Sequence, residues 1–320
     1  MRYIYSRDIK KQAVAALNDR QVDYRRMVFC HTAVSSLFVL VVSLFGLLID
    51  QSIVETEGLD GIGRAGFLKF VYTVLMLAGN ILLPFWAVGI SYTSVRVVRR
   101  QNTDFSMLTQ GLRRFLPLTG YGAMLGLIYL GVGVACFYAL MIPFMCLPVP
   151  EHLQTAIASL DFTDVSQIEA FQTEYFWDMM RYSLPLIISF TVIYGIIATI
   201  LRYRFRMCAY MLLEDNRAGV MPSFGISSRM TKGERKNLFL LDLSFWWYHL
   251  AMFVFSLVIY VPDIMNQMGV ILPVSYETAS LCAYVVYMIC SLILIGLAGA
   301  YYQTSMACAY ETLRNREDSL

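Results

Sequence analysis

The chain has 320 residues, 58% of them hydrophobic and only 15% charged, against roughly 25% charged in a soluble domain. Mean hydropathy is +0.58. The net charge of +2 hides a steep asymmetry along the chain, so it is no sign of a nucleic-acid partner.

The first 26 residues are too long and too acidic for the n-region of a cleavable signal peptide, and no small-residue cleavage site follows. The first span is therefore expected to be retained. Uncharged runs then follow at Met27–Ile49, Phe70–Val95, Phe115–Pro150, Tyr182–Leu201, Leu243–Pro262 and Thr278–Tyr310. Each reaches the roughly 20 residues that an α-helix needs to cross a ~30 Å hydrocarbon core. Unpaired backbone is not tolerated in lipid, so these runs must be helices. The prediction is six spans, near 27–49, 70–95, 117–142, 182–203, 243–262 and 279–303.

All but Arg64, Lys69 and Arg181 of the 25 Lys and Arg fall in the N-terminal segment, the second and fourth connections and the tail. That bias assigns those parts to the cytoplasm, with both termini inside. The expected location is the cytoplasmic membrane of a bacterium. The outer connections are acidic instead, with Asp50, Glu55, Glu57 and Asp60 in the first and Glu151 through Asp178 in the third.

Within the second connection, Phe105, Leu108, Leu112 and Phe115 make one apolar stripe, and Arg113 and Arg114 fall off it. At an offset of 122, LTQGLRRFLPL (Leu108–Leu118) lies over MTKGERKNLFL (Met230–Leu240), pairing Gly111 with Gly233, Arg113 with Arg235 and Arg114 with Lys236. CAYMLL (Cys208–Leu213) likewise matches CAYETL (Cys308–Leu313), and RDIKKQAVAALNDRQVDYRRM is a looser third copy of a basic helix before a span. The chain is thus expected to be an all-α polytopic membrane protein of three hairpin units (1–103, 104–220, 221–320). Each unit would be preceded by a cytoplasmic amphipathic helix, with Pro222 in the first turn of the third and Gly233 at its end. Such helices can lie in the interface with cations toward acidic headgroups. Arg113, Arg114, Lys232, Arg235 and Lys236 are the candidate lipid or partner face. Arg202, Arg204 and Arg206, beyond the fourth span, would snorkel to phosphates or enforce orientation.

The third outer connection, 147–181, breaks the repeat as a helical insertion. Pro150 starts one short helix with Leu153, Ala156, Ile157 and Leu160 on a face. After a turn at Asp161–Asp164, Ile168, Phe171, Tyr175, Phe176 and Met179 predict a second.

YRFRMCAYMLLEDNRAGVMPSFGISSRMTKGERKNLFLLDLSFWWYHL resembles a bacterial integral-membrane family known as domain of unknown function 975. The resemblance rests on a Tyr-rich span end and the Asp215–Asn216 turn. It continues through Ser228, Met230, Lys232 and Gly233 to Leu238–Phe239 and Leu243–Phe245. AYYQTSMACAYETL and IKKQAVAAL resemble the family's ends, whereas Trp246–Trp247 stands where the family has a Gly-Trp pattern. The resemblance implies a multi-span membrane protein and no activity.

His31, His152 and His249 are not spaced as metal ligands, no CxxC occurs, and no nucleophile elbow or phosphate loop is present. No cofactor, metal or enzymatic activity is expected. His249 beside Asp242 in a solvent-filled cleft would reopen the enzymatic reading. Gly122, Gly126 and Gly133 suit close packing in the bundle or between protomers. The seven cysteines read as small apolar residues, with Cys146 and Cys282 near outer span ends where they could approach each other. No Asp, Glu, Lys or Arg lies centrally in a span. Asn80, four residues before Pro84, is the best mid-membrane polar residue, as a local kink or a cavity lining, and His249 sits nearer the inner interface. Two classes of function follow. The leading expectation is a non-enzymatic protein that binds anionic lipid, a membrane-protein partner or a second copy, in envelope organisation. The alternative is a small transporter or channel using the interior near Asn80.

Overall fold

The computed structural model describes residues 5–18, 24–55, 59–146, 148–160, 165–215, 218–268 and 275–318. Of the residues named above, Glu57, the Asp161–Asp164 turn and Asn216 lie outside the described residues, as do Arg2, Arg20 and Arg217 of the basic residues counted. The described residues form helices joined by short turns, with no strand among them. In order, the elements are α1 (Ser6–Leu17), α2 (Tyr24–Glu55), α3 (Leu59–Val98), α4 (Gln110–Arg113), α5 (Phe115–Met145), α6 (Glu151–Ala158) and α7 (Val165–Phe205). They continue as α8 (Cys208–Glu214), α9 (Val220–Met230), α10 (Arg235–Leu243), α11 (Trp246–Leu257), α12 (Val261–Gln267), α13 (Tyr276–Leu294) and α14 (Ala300–Glu317).

Six stretches are long and apolar enough to cross a membrane: Tyr24–Gly46, Gly66–Val98, Phe115–Met145, Thr173–Glu214, Trp246–Gln267 and Thr278–Glu317. These correspond in order to the six predicted. The fifth starts later than predicted, because the chain turns at Ser244 and Phe245 between α10 and α11 and the Phe245 ring is fully buried. It is further interrupted by a 3-10 turn, Val258–Tyr260, just before Pro262, which cannot continue a helical hydrogen-bond ladder. In the sixth, α13 passes to α14 through a π-helical segment, Ile295–Gly299.

Tertiary contacts divide the chain into Met1–Thr119 with Phe205–Leu320, and Gly120–Arg204. In the first unit α2 and α3 pair, α14 packs on α3, and α13 packs on α2, α11 and α12. Its core joins Tyr24, Met27 and Val28 of α2 to Ile90 and Val97 of α3, with Leu108 and Ala300. The Tyr24 hydroxyl donates to the Ile90 carbonyl at 3.2 Å, satisfying a polar tip in that core. In the second unit α5 and α7 meet where Phe137 packs edge-on against Phe190, which stacks on Tyr194 one turn on in α7 at 5.5 Å, and where a Cβ on Gly133 would lie 3.4 Å from the Tyr194 ring.

Two local predictions change. Residues 104–115 do not form one straight amphipathic helix but a 3-10 turn, Phe105–Thr109, followed by α4. The cause is contact with α3. A Cβ on Gly89 would lie 2.0 Å from the Leu108 carbonyl oxygen, and one on Gly111 1.8 Å from that of Phe85. The two glycines let the backbones touch, and the segment follows the α3 surface. Leu108 is buried and the Phe115 ring packs on Phe85 at 4.6 Å, whereas Phe105 is exposed. The second change concerns 147–181. Its first short helix is present as α6, capped by Pro150. The second stripe is not a separate helix but the start of α7, which runs 41 residues into the fourth span. No turn residue stands between Met179 and Tyr182 to stop it, and Pro185 is carried inside the helix.

Around the α9–α10 turn the local reading of the sequence matches the backbone. Pro222 falls in the first turn of α9, and Gly233, in the turn after it, has φ +86°, a left-handed conformation natural to glycine.

Candidate functional site

The Lys/Arg-rich end of the first unit is built like the inside of a soluble protein. The α1 helix turns Ile9, Ala13 and Ala16 inward against α14 and α10. Lys10 donates to the Ser244 carbonyl at 3.0 Å and lies 4.3 Å over the Phe245 ring, a cation–π contact. Burial lowers the Lys10 pKa from its ordinary value.

Carboxylates are gathered here with arginines. Arg206 donates to Asp242 at 2.9 Å and to the Tyr302 hydroxyl at 2.6 Å, and Tyr302 donates back to Asp242 at 2.8 Å. Arg99 bridges Glu214 and Glu311, each at 2.5 Å. Glu214 also accepts from Arg314 and from the Tyr310 hydroxyl. Arg316 reaches the buried Glu234 at 3.2 Å, and Arg229 reaches Glu317 at 3.2 Å. Burial alone would lower the Arg99 pKa; the bonds to Glu311 and Glu214 outweigh it and hold the guanidinium above its usual value. The matched CAYMLL and CAYETL segments meet in this assembly, with the Tyr210 and Tyr310 rings stacked at 5.0 Å. Arg206 is thus committed to a buried carboxylate rather than left to snorkel.

The candidate lipid or partner face divides in two. Arg113, Lys232 and Lys236 are exposed and meet no carboxylate within 4 Å among the described residues. Arg114 and Arg235 are half-buried, each with its Nε out of contact with solvent. The cations also rest on different supports, since α4 packs on α3 and α10 on α1.

Above this assembly lies a half-open cavity of about 450 Å³. One wall is α2 (Val28, His31, Thr32, Ser35) and the opposite wall is α3 (Gly79, Asn80, Leu83, Pro84, Ala87, Ile90). Tyr248, Gln303 and the π-helical residues Ile295 and Gly299 complete it. Helices α2 and α3 run antiparallel, so Val28 and Ile90 line the charged end, and Ser35 and Asn80 lie roughly 10 to 15 Å further along, at 1.5 Å per residue. The π segment adds a residue to its turn, an irregularity frequent at functional sites. A Cβ on Gly299 would crowd the Ile295 side chain at 2.9 Å and touch the Tyr248 hydroxyl at 3.5 Å.

Polar groups on the two long walls are mostly satisfied at home. Thr32 and Ser35 donate to the Val28 and His31 carbonyls one turn back, and Asn80 Nδ2 donates to Met76 at 2.9 Å. Asn80 is therefore a locally bonded residue that also faces the cavity. His31 differs: it is 6% exposed, packs 5.8 Å from Trp86, and neither ring nitrogen has a well-formed hydrogen bond among the described residues. The sequence reading gave His31 no role. The clue was its place on the α2 face opposite Asn80 and Pro84.

His249 lies outside the cavity. Its Nε2 is 3.5 Å from Asp242 and its ring meets Tyr302 edge-on at 5.2 Å, with the side chain 45% exposed. The His249–Asp242 pair considered from the sequence therefore exists, but the Asp242 oxygens are already engaged by Arg206 and Tyr302. A Cβ added at Gly122 or Gly126 would meet nothing within 4 Å, while one on Gly133 would touch the Tyr194 ring. All seven cysteines are free thiols, Cys146 and Cys282 included.

A family model described as Protein of unknown function (DUF975) matches residues 1–317, and the chain belongs to that family. No curated protein and no solved structure matches the chain.

Proposed function

We propose that this DUF975 member is a non-enzymatic multi-pass protein of the bacterial cytoplasmic membrane that binds anionic lipid or a protein partner through its Lys/Arg-rich end, in envelope organisation. The positive-inside bias of the sequence supports a cytoplasmic position for that end and both termini. The three-unit repeat is part of the same reading, supported by the stacked, matched segments around Tyr210 and Tyr310; Gly111, inside α4, and Gly233, in a turn at φ +86°, match in sequence only. The observation that carries the proposal is the division of the cations. Arg99, Arg206, Arg229, Arg314 and Arg316 hold carboxylates. Arg113, Lys232 and Lys236 remain exposed without one among the described residues, available to headgroup phosphates.

The test is native mass spectrometry and liposome flotation of the protein and the triple variant Arg113→Gln, Lys232→Gln, Lys236→Gln. At ~1 kcal/mol per cation near an anionic surface, the variant should lose about 3 kcal/mol, roughly a hundredfold in affinity for phosphatidylglycerol vesicles. Unchanged binding would reduce these residues to a topology signal. A small transporter using the interior near Asn80 is the second reading, favoured by the half-open cavity. Solute flux in proteoliposomes that Asn80→Leu abolishes would select it.

A further inference from the structure

The cavity between α2, α3 and the π segment calls for an occupant that its chemistry can specify. It extends from the charged end, where Tyr248 and Gln303 stand, toward mid-span, where Ser35 and Asn80 line it. No Asp, Glu, Lys or Arg lines it. A charged headgroup would enter without compensation, which is costly away from water. The nearby ions are already engaged with each other, behind the stacked Tyr248 and Tyr302 rings. The occupant is therefore neutral.

It must also accept and donate hydrogen bonds. His31 is buried, its ring reaching the Trp86 backbone without a hydrogen bond of good geometry for either nitrogen, and a buried polar group in that state is unusual enough to need an explanation. The Tyr248 hydroxyl and the Gln303 amide, beside it on the lining, also have no protein hydrogen bond among the described residues. On the α3 wall, Pro84 has no N–H to give the Asn80 carbonyl, which leaves an acceptor four residues back. Between the two ends the lining is apolar, with Leu83, Ala87 and Ile295. A half-open cavity of about 450 Å³ falls within the ~300–1,000 Å³ of small-molecule sites. It has room for a headgroup and the first part of a chain, the remainder leaving through the open side into the bilayer.

We propose that this cavity is a binding site for a neutral glycerolipid. Its free hydroxyl and ester carbonyls meet His31, Tyr248 and Gln303, and an acyl chain lies along Leu83, Ala87 and Ile295. The site is separate from the exposed cations of the charged end, so it stands or falls independently of anionic lipid binding there.

The test uses the full-length protein in nanodiscs or mild detergent with dioleoylglycerol, phosphatidylglycerol and decylubiquinone as separate probes, read by native mass spectrometry. Dioleoylglycerol should bind at one site per chain. His31→Phe should weaken it at least tenfold, and Ala87→Phe, which fills the cavity, should abolish it. His31→Gln, which restores a donor, should return affinity to within about threefold of wild type. An unchanged thermal midpoint and monodispersity in the two His31 variants separate lost binding from lost fold. The triple variant at Arg113, Lys232 and Lys236 should bind dioleoylglycerol as wild type does. Equal binding of dioleoylglycerol to wild type and His31→Phe would overturn the proposal. So would a stronger claim on the site by phosphatidylglycerol or decylubiquinone, or failure of dioleoylglycerol to bind.

Discussion

The end where α1, α8, α10 and α14 gather and the α5–α7 pair of Gly120–Arg204 are both helical, yet they are held by different chemistry. At the charged end Met207, Cys208, Leu238, Leu241, Phe245, Ala307 and Ala309 have no solvent contact. Carboxylates there are closed by arginines. In the other unit almost no apolar side chain is fully buried: the most apolar stretch of Thr173–Glu214 is 0% buried and that of Phe115–Met145 only 6%. Leu127, Leu130, Ile187 and Ile188 are exposed residues that in water would be a liability. In lipid they are ordinary, because hydrocarbon solvates them as well as a core would. One region is therefore stabilised by packing and paired charge, the other by backbone hydrogen bonds and its solvent.

Substitutions break this comparison most sharply at the ion pairs. Asp242→Ala leaves the Arg206 guanidinium buried without its carboxylate, so the thermal midpoint in detergent should fall, by about 3–5 kcal/mol in stability. The paired replacement Arg206→Met with Asp242→Leu should recover most of that loss; no recovery would mean that the pair itself, not the stranded charge, matters. Leu241→Ala at the same end opens a cavity in a closed core and should cost about 2–5 kcal/mol. Gly111→Ala drives a methyl into the Phe85 carbonyl and should cost about 1–3 kcal/mol, with hydrogen exchange rising first in Phe105–Arg113 as the segment lifts from α3. The outward-facing Ile187→Ala in α7 should change stability by no more than about 0.5 kcal/mol. A large loss there would show that this face is covered by protein rather than by lipid.

Acid should produce the smallest effect. The Ser106 hydroxyl and then the Phe105 N–H hold the Asp104 carboxyl below its usual value. A depressed carboxylate contributes stability above its unfolded pKa, and that stability is lost as pH falls through the folded value. Protonation below pH of about 4 should loosen the turn at Phe105 and raise its exchange rate slightly.

Six membrane-length helices, the basic bias of their connections, the turn at Gly233 and the early Pro of α9 follow from sequence alone. Each depends on chain-local quantities: the length of an uncharged run, a φ that only glycine adopts with ease, a ring without an N–H. The stripe at 104–115 showed where, by residue type, a buried face would be, but not that Gly89, outside the stripe, would bring it onto α3. The tertiary structure alone decided which charges were committed. Asp242 meets Arg206 and Glu214 meets Arg99 and Arg314 across wide gaps in the chain, and nothing in the local pattern marks those partners. Acidic residues stranded on the basic side of the spans were the available sign, because a carboxylate kept there needs a cation. His31 makes the same point from the other direction. Its residue type and depth were plain in the sequence. Its burial, its lack of a well-formed hydrogen bond and its place in a cavity depend on Pro84, Tyr248 and a π turn near the far end of the chain. Burial and hydrogen-bond satisfaction belong to the assembled helices and not to any one of them.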